Sequence, residues 1–290
     1  MRFSLVVATK GRSDEIGALL GSILAQAVPA EVIVVDQNED ERVAPVLAPY
    51  AGRLPLTHLR SRIANANNSR NLGLRHARGE IVAFPDDDCV MPDGVLARVD
   101  RAFADDPALA ILTGPAASPE GGLGSGRWRG ESGAITLANV WTSVIEFNLF
   151  LRREVALALG GFDERLGPGT EFGSAEGNDL VARAIRAGHV VRYDAGLRIV
   201  HPDKRLTPIA ASRAGLYGAG LGVVLRRHAP GPGTWFPFLV RPLGGVAVSL
   251  LRGRGLAARY YYETFRGRLR GLLAAEEARR PAPPPQEPLR

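Results

Sequence analysis

The chain opens on an unbroken apolar run, Arg2 to Ala8 (RFSLVVA), that stops at Thr9-Lys10-Gly11-Arg12 and predicts a buried strand followed by a turn. Behind Ser13 or Asp14, either of which can cap a helix, Ile16, Leu19, Leu20 and Ile23 recur at helical spacing. Glu31 to Val35 (EVIVV) predicts a second buried strand ending at Asp36, and Leu56 to Leu59 a weaker third. Asn71 to Ala77 has a helical pattern closed by Gly79, and Glu80 to Phe84 (EIVAF) is the next strand, ending at Pro85-Asp86-Asp87-Asp88. Alternation of this kind predicts an α/β fold: a mostly parallel, doubly wound sheet with helices on both faces.

Farther along, Pro115 to Gly133 is rich in Gly, Ser and Pro and predicts a mobile loop. Val144 to Leu151 reads as a strand, Arg153 to Leu159 as a short helix and Asp179 to Ala187 as a helix stopped by Gly188. Val190 to Tyr193 and Ile199-Val200 are extended. The texture changes near residue 206. Thr234 to Leu251 is apolar but interrupted by Arg241 and Pro242, which argues against a membrane-spanning helix. Gly255 to Leu273 is an arginine-rich amphipathic stretch carrying Tyr260, Tyr261, Tyr262 and Phe265, suited either to a membrane surface or to a helical cap on the preceding domain. The expected organisation is a domain over 1–205, a basic helical extension over 206–275 and a proline-rich tail over 276–290.

Composition narrows the setting. With 290 residues, 46% hydrophobic and 23% charged, the chain can bury a sizeable core. A single cysteine, Cys89, excludes an internal disulfide and fits a reducing compartment; no leader segment is visible, since the first apolar run is too short for one. The net charge is +6, almost all of it from arginine, with lysine only at Lys10 and Lys204. That bias follows either from GC-rich codon usage or from attraction to phosphates on a nucleotide, a lipid or an anionic membrane surface. No arginine–aromatic pattern points to nucleic acid.

Candidate chemistry gathers at the strand ends, where ligands bind in sheets of this kind. Along an extended segment Asp86 and Asp88 face one side, and two close carboxylates call for a cation or a proton. Oxygen ligands suit Mn²⁺ or Mg²⁺. Asp36 ends the second strand, a usual place for a carboxylate that meets a nucleoside, yet Thr-Lys-Gly-Arg is not the glycine-rich turn of a dinucleotide site. The run Gly218 to Gly222 follows no strand and carries no such meaning.

ATKGR, VIVVDQNED, SRNLGLRHARGEIVAFPDDDCVMPDG, NLFLRREVALALGGFDERLGPGTEFGS, EGNDLVARAIRAG and IVHP occur in an order and spacing that resembles glycosyltransferase family 2 over roughly the first 205 residues. The resemblance implies a GT-A fold and an inverting, metal-dependent, hexosyltransferase-like enzyme that moves a sugar from a nucleotide-diphosphate-sugar donor to a glycan or lipid-linked acceptor in polysaccharide or glycolipid synthesis. It implies that Thr9, Arg12, Asp36, Arg70, Asp86 and Asp87 hold the donor nucleotide, and that Asp86, Asp88 and His201 hold the metal. The usual Glu-Asp pair before x-Asp-Leu, whose second acid is the catalytic base, is here Glu176-Gly177, so the base is expected at Glu176 or else Asp179. Trp128 and Trp141 are expected near the acceptor, Trp141 fitting a core position equally. A sugar-1-phosphate nucleotidyltransferase and a non-catalytic nucleotide-sugar or glycan-binding module are the competing classes. The basic extension points to cytoplasmic work, peripheral at the inner face of the membrane.

Overall fold

The computed structural model describes residues 1–274 and is built around one eight-stranded sheet. Its strands are β1 (Phe3–Thr9), β2 (Ala30–Asp36), β3 (Leu56–Arg60), β4 (Ile81–Ala83), β5 (Leu109–Thr113), β7 (Gly133–Ala134), β8 (Leu149–Arg152) and β9 (Val190–Tyr193), while β6 (Ala116–Ala117) pairs separately with β10 (Ile199–Val200). The spatial order is β3-β2-β1-β4-β8-β5-β9-β7. β1 to β4 are mutually parallel, β8 is antiparallel to both its neighbours, and β7 runs antiparallel to β9 at the edge. The register pairs Thr9 with Asp36 and Asp36 with Arg60, so the first three strands end at one level.

The helices are α1 (Asp14–Leu24), the single turn α2 (Ala44–Leu47), α3 (Ala66–His76), α4 (Val95–Asp105), α5 (Arg153–Ala158), α6 (Glu176–Arg186), α7 (Pro208–His228), α8 (Pro232–Leu251) and α9 (Gly255–Ala274). Both sheet faces are covered because successive strand residues point to opposite sides. Leu5, Val7, Val32 and Val34 pack with Ile16, Leu19 and Leu20 of α1 and with Leu96 and Val99 of α4. Val6, Ile33, Val35 and Val82 face the other layer, with Leu72 of α3, Val155 of α5 and Leu180 and Val181 of α6. Ala219, Val223, Val224 and Leu225 of α7 belong to that second core, which is therefore continuous across residue 205.

Several elements differ from expectation for local reasons. α3 begins five residues before the predicted start, because the Asn65 side chain caps it by accepting from the Asn68 backbone N–H. Ser13 stands at the N-cap of α1 but makes no side-chain cap bond. The predicted strand over 144–151 is shorter, its first half taken by a 3₁₀ turn at Glu146–Asn148. α4 and β5 stand where no element is predicted; Val95, Leu96, Val99 and Phe103 supply the buried stripe of α4. In the glycine-rich loop, Ser118 and Ser125 both donate to Asp203, at 2.5 and 3.1 Å.

Pro242 does not break the apolar segment: α8 runs through both Pro237 and Pro242. α7 and α8 are each long and apolar enough to cross a membrane by length and composition. About half of the apolar stretch of α7 is buried inside the protein, whereas that of α8 is almost entirely uncovered. Gly218 to Gly222 forms no nucleotide turn. A Cβ on Gly222 would collide with the Arg268 backbone, and one on Gly271 with Ala219, so these glycines let α7 and α9 pack backbone to backbone. The tail expected over 276–290 lies outside the described residues.

Candidate functional site

A cavity of about 380 Å³ opens at the carboxyl ends of β1, β2 and β4. Asp86, Asp87 and Asp88 enter it from the segment after β4, Lys10 and Arg12 from the turn after β1, Arg70 from α3 and His201 from the end of β10.

The three aspartates do not continue the strand as expected: Asp87 and Asp88 are the central residues of a turn closed by the Cys89 N–H on the Asp86 carbonyl at 3.0 Å, and this turn brings Asp86 and Asp88 to one side. Asp87 turns inward, accepting from the Thr9 hydroxyl at 2.7 Å and pairing with Arg12. Its burial raises its pKa against the pull of Thr9 and Arg12. Asp86 and Asp88 converge with His201, their ligand atoms lying within 4.8 Å of one another. His201 Nε2 is 3.4 Å from Asp88 Oδ1 and 3.9 Å from Asp86 Oδ2. Asp88 Oδ1 is buried and accepts no hydrogen bond among the described residues, while Asp88 Oδ2 pairs with Arg12 at 2.7 Å. An orphaned carboxylate oxygen beside a second carboxylate and an imidazole is a donor set that fits Mn²⁺ or Mg²⁺.

Arg70 lines the floor of the cavity. Its Nη2 donates to Asp86 at 2.9 Å, and its Nη1 to Glu176 at 3.1 Å and to Asn67 at 2.9 Å. It thus ties the acidic cluster to the start of α6.

Other expected residues lie elsewhere. The Asp36 carboxylate is fully buried and satisfied internally by the Asn38 backbone and side chain, both at 2.8 Å, and by His58 and Arg60, each at 3.2 Å. Its neighbour Gln37 reaches the cavity instead. Sequence reasoning missed His58 and Arg60; their i, i+2 spacing along β3 was the available signal, since it puts both on one face.

Glu176 is also fully buried and does not line the cavity. Burial, with the charge of Glu146 added, pushes its pKa up to about 8 against the pull of Arg70. Asp179 is committed to an ion cluster, with Arg183 Nε at 2.8 Å, His228 Nε2 at 2.9 Å and Arg227 at 3.3 Å. Burial opposes its ionisation, but the His228 hydrogen bond and Arg183 outweigh it and hold the carboxyl well below the usual range.

Neither tryptophan lines the cavity. Trp141 is a core residue whose indole donates to Leu137 O at 2.8 Å and whose ring meets Phe238 edge-on. Trp128 donates to Gly124 O at 3.1 Å within its own loop. Lys204 and Tyr217, which the sequence did not single out, line the cavity and also a neighbouring groove of about 550 Å³ between α7 and α9.

The geometry agrees with comparisons to known proteins. The chain is 39% identical over 93 residues to an uncharacterized glycosyltransferase of Haemophilus influenzae, an alignment covering 31% of either chain. It is 32% identical over 93 residues to the poly(ribitol-phosphate) β-N-acetylglucosaminyltransferase TarS of Staphylococcus aureus, covering 30% of this chain and 16% of that protein. The alignments thus span a third or less of these curated relatives. Among solved structures, S. aureus TarS 1-349 superposes with a TM-score of 0.60 at 18% identity, covering 93% of this chain and 91% of that one. The mannosyltransferase of Pyrobaculum calidifontis, in complex with GDP-Man and Mn²⁺, superposes with a TM-score of 0.65 at 18% identity, covering 96% and 88%. These likenesses show a shared GT-A fold. The sequence profile described as glycosyl transferase family 2 matches residues 4–157, just over half of the chain, and the protein belongs to that family.

Proposed function

We propose that the protein transfers a sugar from a nucleoside-diphosphate sugar to an acceptor hydroxyl with inversion at the anomeric carbon. The observation that carries this reading is the convergence of Asp86, Asp88 and His201 around a buried Asp88 oxygen that accepts no hydrogen bond among the described residues, at the carboxyl edge of a parallel sheet. The family membership supports it, as do the ligands of the structural neighbours: TarS is known with UDP and UDP-GlcNAc, the mannosyltransferase with GDP-Man and Mn²⁺.

Asp86, Asp88 and His201 would hold a divalent cation, and such an ion neutralises charge on a leaving diphosphate. The chain's own residues do the rest. Lys10, Arg12 and Lys204 line the cavity and favour a polyanionic ligand. Thr9 fixes Asp87, and Asp87 in turn pairs with Arg12 at the cavity wall. Arg70 orients Asp86 by donating to its carboxylate.

The acceptor approaches along the adjoining groove, which Leu206, Ile209, Tyr217 and Tyr260 line with apolar surface and Lys204 and Arg213 with charge. That combination fits a lipid-linked phosphate acceptor. α8 lies beside it with Phe236, Leu250 and Leu251 exposed, a surface suited to peripheral contact with an anionic membrane.

Calorimetry with UDP, GDP, dTDP and CDP, with and without Mn²⁺, tests the reading. Cation-dependent binding of one diphosphate, lost in Asp88→Asn, is the expected result; no binding of any of the four overturns it.

A further inference from the structure

We propose that Glu146 is the general base of the transfer, an assignment that rests on the transfer reading above. Among the described residues four carboxylates line this cavity: Asp86, Asp87, Asp88 and Glu146. The three aspartates are committed, Asp86 to Arg70, Asp87 to Thr9 and Arg12, and Asp88 to Arg12 and the cation cluster. Glu146 makes no hydrogen bond or ion pair among the described residues and is half-buried, so its carboxylate is free to accept a proton from a bound hydroxyl.

The position is rigid. Glu146 begins the 3₁₀ turn Glu146–Asn148, and the two residues after it are locked. Phe147 is buried and stacks on the imidazole of His201 with ring centroids 4.6 Å apart. Asn148 is fully buried and donates through Nδ2 to Pro115 O at 3.0 Å and Leu197 O at 2.8 Å. The same turn therefore carries the free carboxylate and braces the imidazole at the cation cluster.

Gly177 adds a second, independent observation. A Cβ built at Gly177 would sit 3.4 Å from both Cβ and Oε2 of Glu146. The Glu146 carboxylate thus fills the space that an acidic side chain at position 177 would enter. Gly177 leaves that space open, and a residue from a different element occupies it. Glu176, one position earlier, points under the cavity and is held by Arg70 at 3.1 Å.

In the step assigned here the acceptor O–H gives its proton to the Glu146 carboxylate as the acceptor oxygen bonds to the anomeric carbon. The bond from that carbon to the diphosphate breaks, and its electron pair leaves with the diphosphate. The Glu146 carboxyl then returns the proton to solvent.

The test uses the full chain with MnCl2 and the sugar nucleotides UDP-GlcNAc and GDP-mannose, read by diphosphate release with water as acceptor and by calorimetric binding of UDP and GDP. Glu146→Gln is expected to bind the diphosphate as the wild type does, with donor KM unchanged and kcat lowered about 10²–10⁴-fold. Glu146→Ala is expected to lose turnover as Glu146→Gln does, and adding Gly177→Asp to Glu146→Ala is expected to restore part of it, because the shortened side chain vacates the space that the new carboxylate enters. Undiminished kcat in Glu146→Gln overturns the assignment, and so does a loss of diphosphate binding that matches the loss of turnover. A wild-type protein that binds none of UDP, GDP, dTDP and CDP overturns the transfer reading itself, and this inference with it.

Discussion

His201 lies flat against Phe147, with ring centroids 4.6 Å apart and planes inclined by only 7°. The His201 Nδ1 is 2.8 Å from the Pro202 carbonyl oxygen, which can only accept, so Nδ1 carries a proton and Nε2 is the nitrogen that faces Asp86 and Asp88, where a bound cation would meet it. Stacking fixes the plane of the ring and the carbonyl fixes its tautomer. Supports of this type typically hold metal ligands in place.

Phe147→Leu is therefore expected to weaken Mn²⁺ affinity by about tenfold. A Mn²⁺ titration of the variant checks this, with thermal unfolding as a control for the core position. Unchanged affinity would show that the ring stack does not orient the imidazole.

Glu176 makes stability depend on pH with a defined sign. Its carboxyl is raised from 4.5 to about 8, so between those values the folded chain keeps a proton that the unfolded chain has released. Stability contributed by this group is full below pH 4.5, falls as pH rises toward 8 and is flat above. Urea midpoints at pH 5 and pH 8.5 should differ more for the wild type than for Glu176→Gln.

Asp179 acts in the opposite direction. Its carboxyl is held below the ordinary 3.8, so the stability it contributes is present above that value and is lost as pH falls below it. Asp179→Ala leaves His228, Arg183 and Arg227 facing the vacated position, and is expected to cost about 3–5 kcal/mol at pH 7. Denaturant unfolding measures it. Diphosphate affinity in the folded fraction should be retained, because Asp179 does not line the cavity.

The α7–α9 seam has no room for a side chain. Gly271→Ala drives a methyl group into the Ala219 backbone, and overpacking of this kind costs about 1–3 kcal/mol. A substitution at Gly244, where a Cβ meets nothing within 4 Å, serves as the control. Equal melting temperatures for the two variants would show that the seam is loose.

Membrane contact through α8 predicts that the full chain floats with anionic phosphatidylglycerol vesicles and that Leu250→Asp with Leu251→Asp reduces this severalfold. Leu251 is 89% and Leu250 62% exposed, so these changes leave the core intact. Flotation that the substitutions leave unchanged would remove α8 from the contact.

The sequence alone determined the frame. Val6 between Leu5 and Val7, and Ile33 between Val32 and Val34, are apolar at successive positions, a pattern that suits a strand covered on two sides when the run is this short and bounded by turn residues. The position of Asp86 to Asp88 just past β4 followed from the same run, whereas the convergence of Asp86 and Asp88 depends on the turn that the Cys89 N–H closes on the Asp86 carbonyl. Tertiary structure decided what each charge does. β8 enters between β4 and β5 from a distant part of the chain, bringing Glu146 to the cavity, and no local periodicity reports a partner so far away. Glu176 and Asp179 read alike as acids at the start of one helix, yet one is buried against Arg70 and the other held by His228 and two arginines. The glycines of α7 likewise gained their meaning only from α9. Periodicity tells which way a side chain faces from its own element, whereas pairing, burial of charge and shared space depend on long-range contacts that a sequence pattern does not encode.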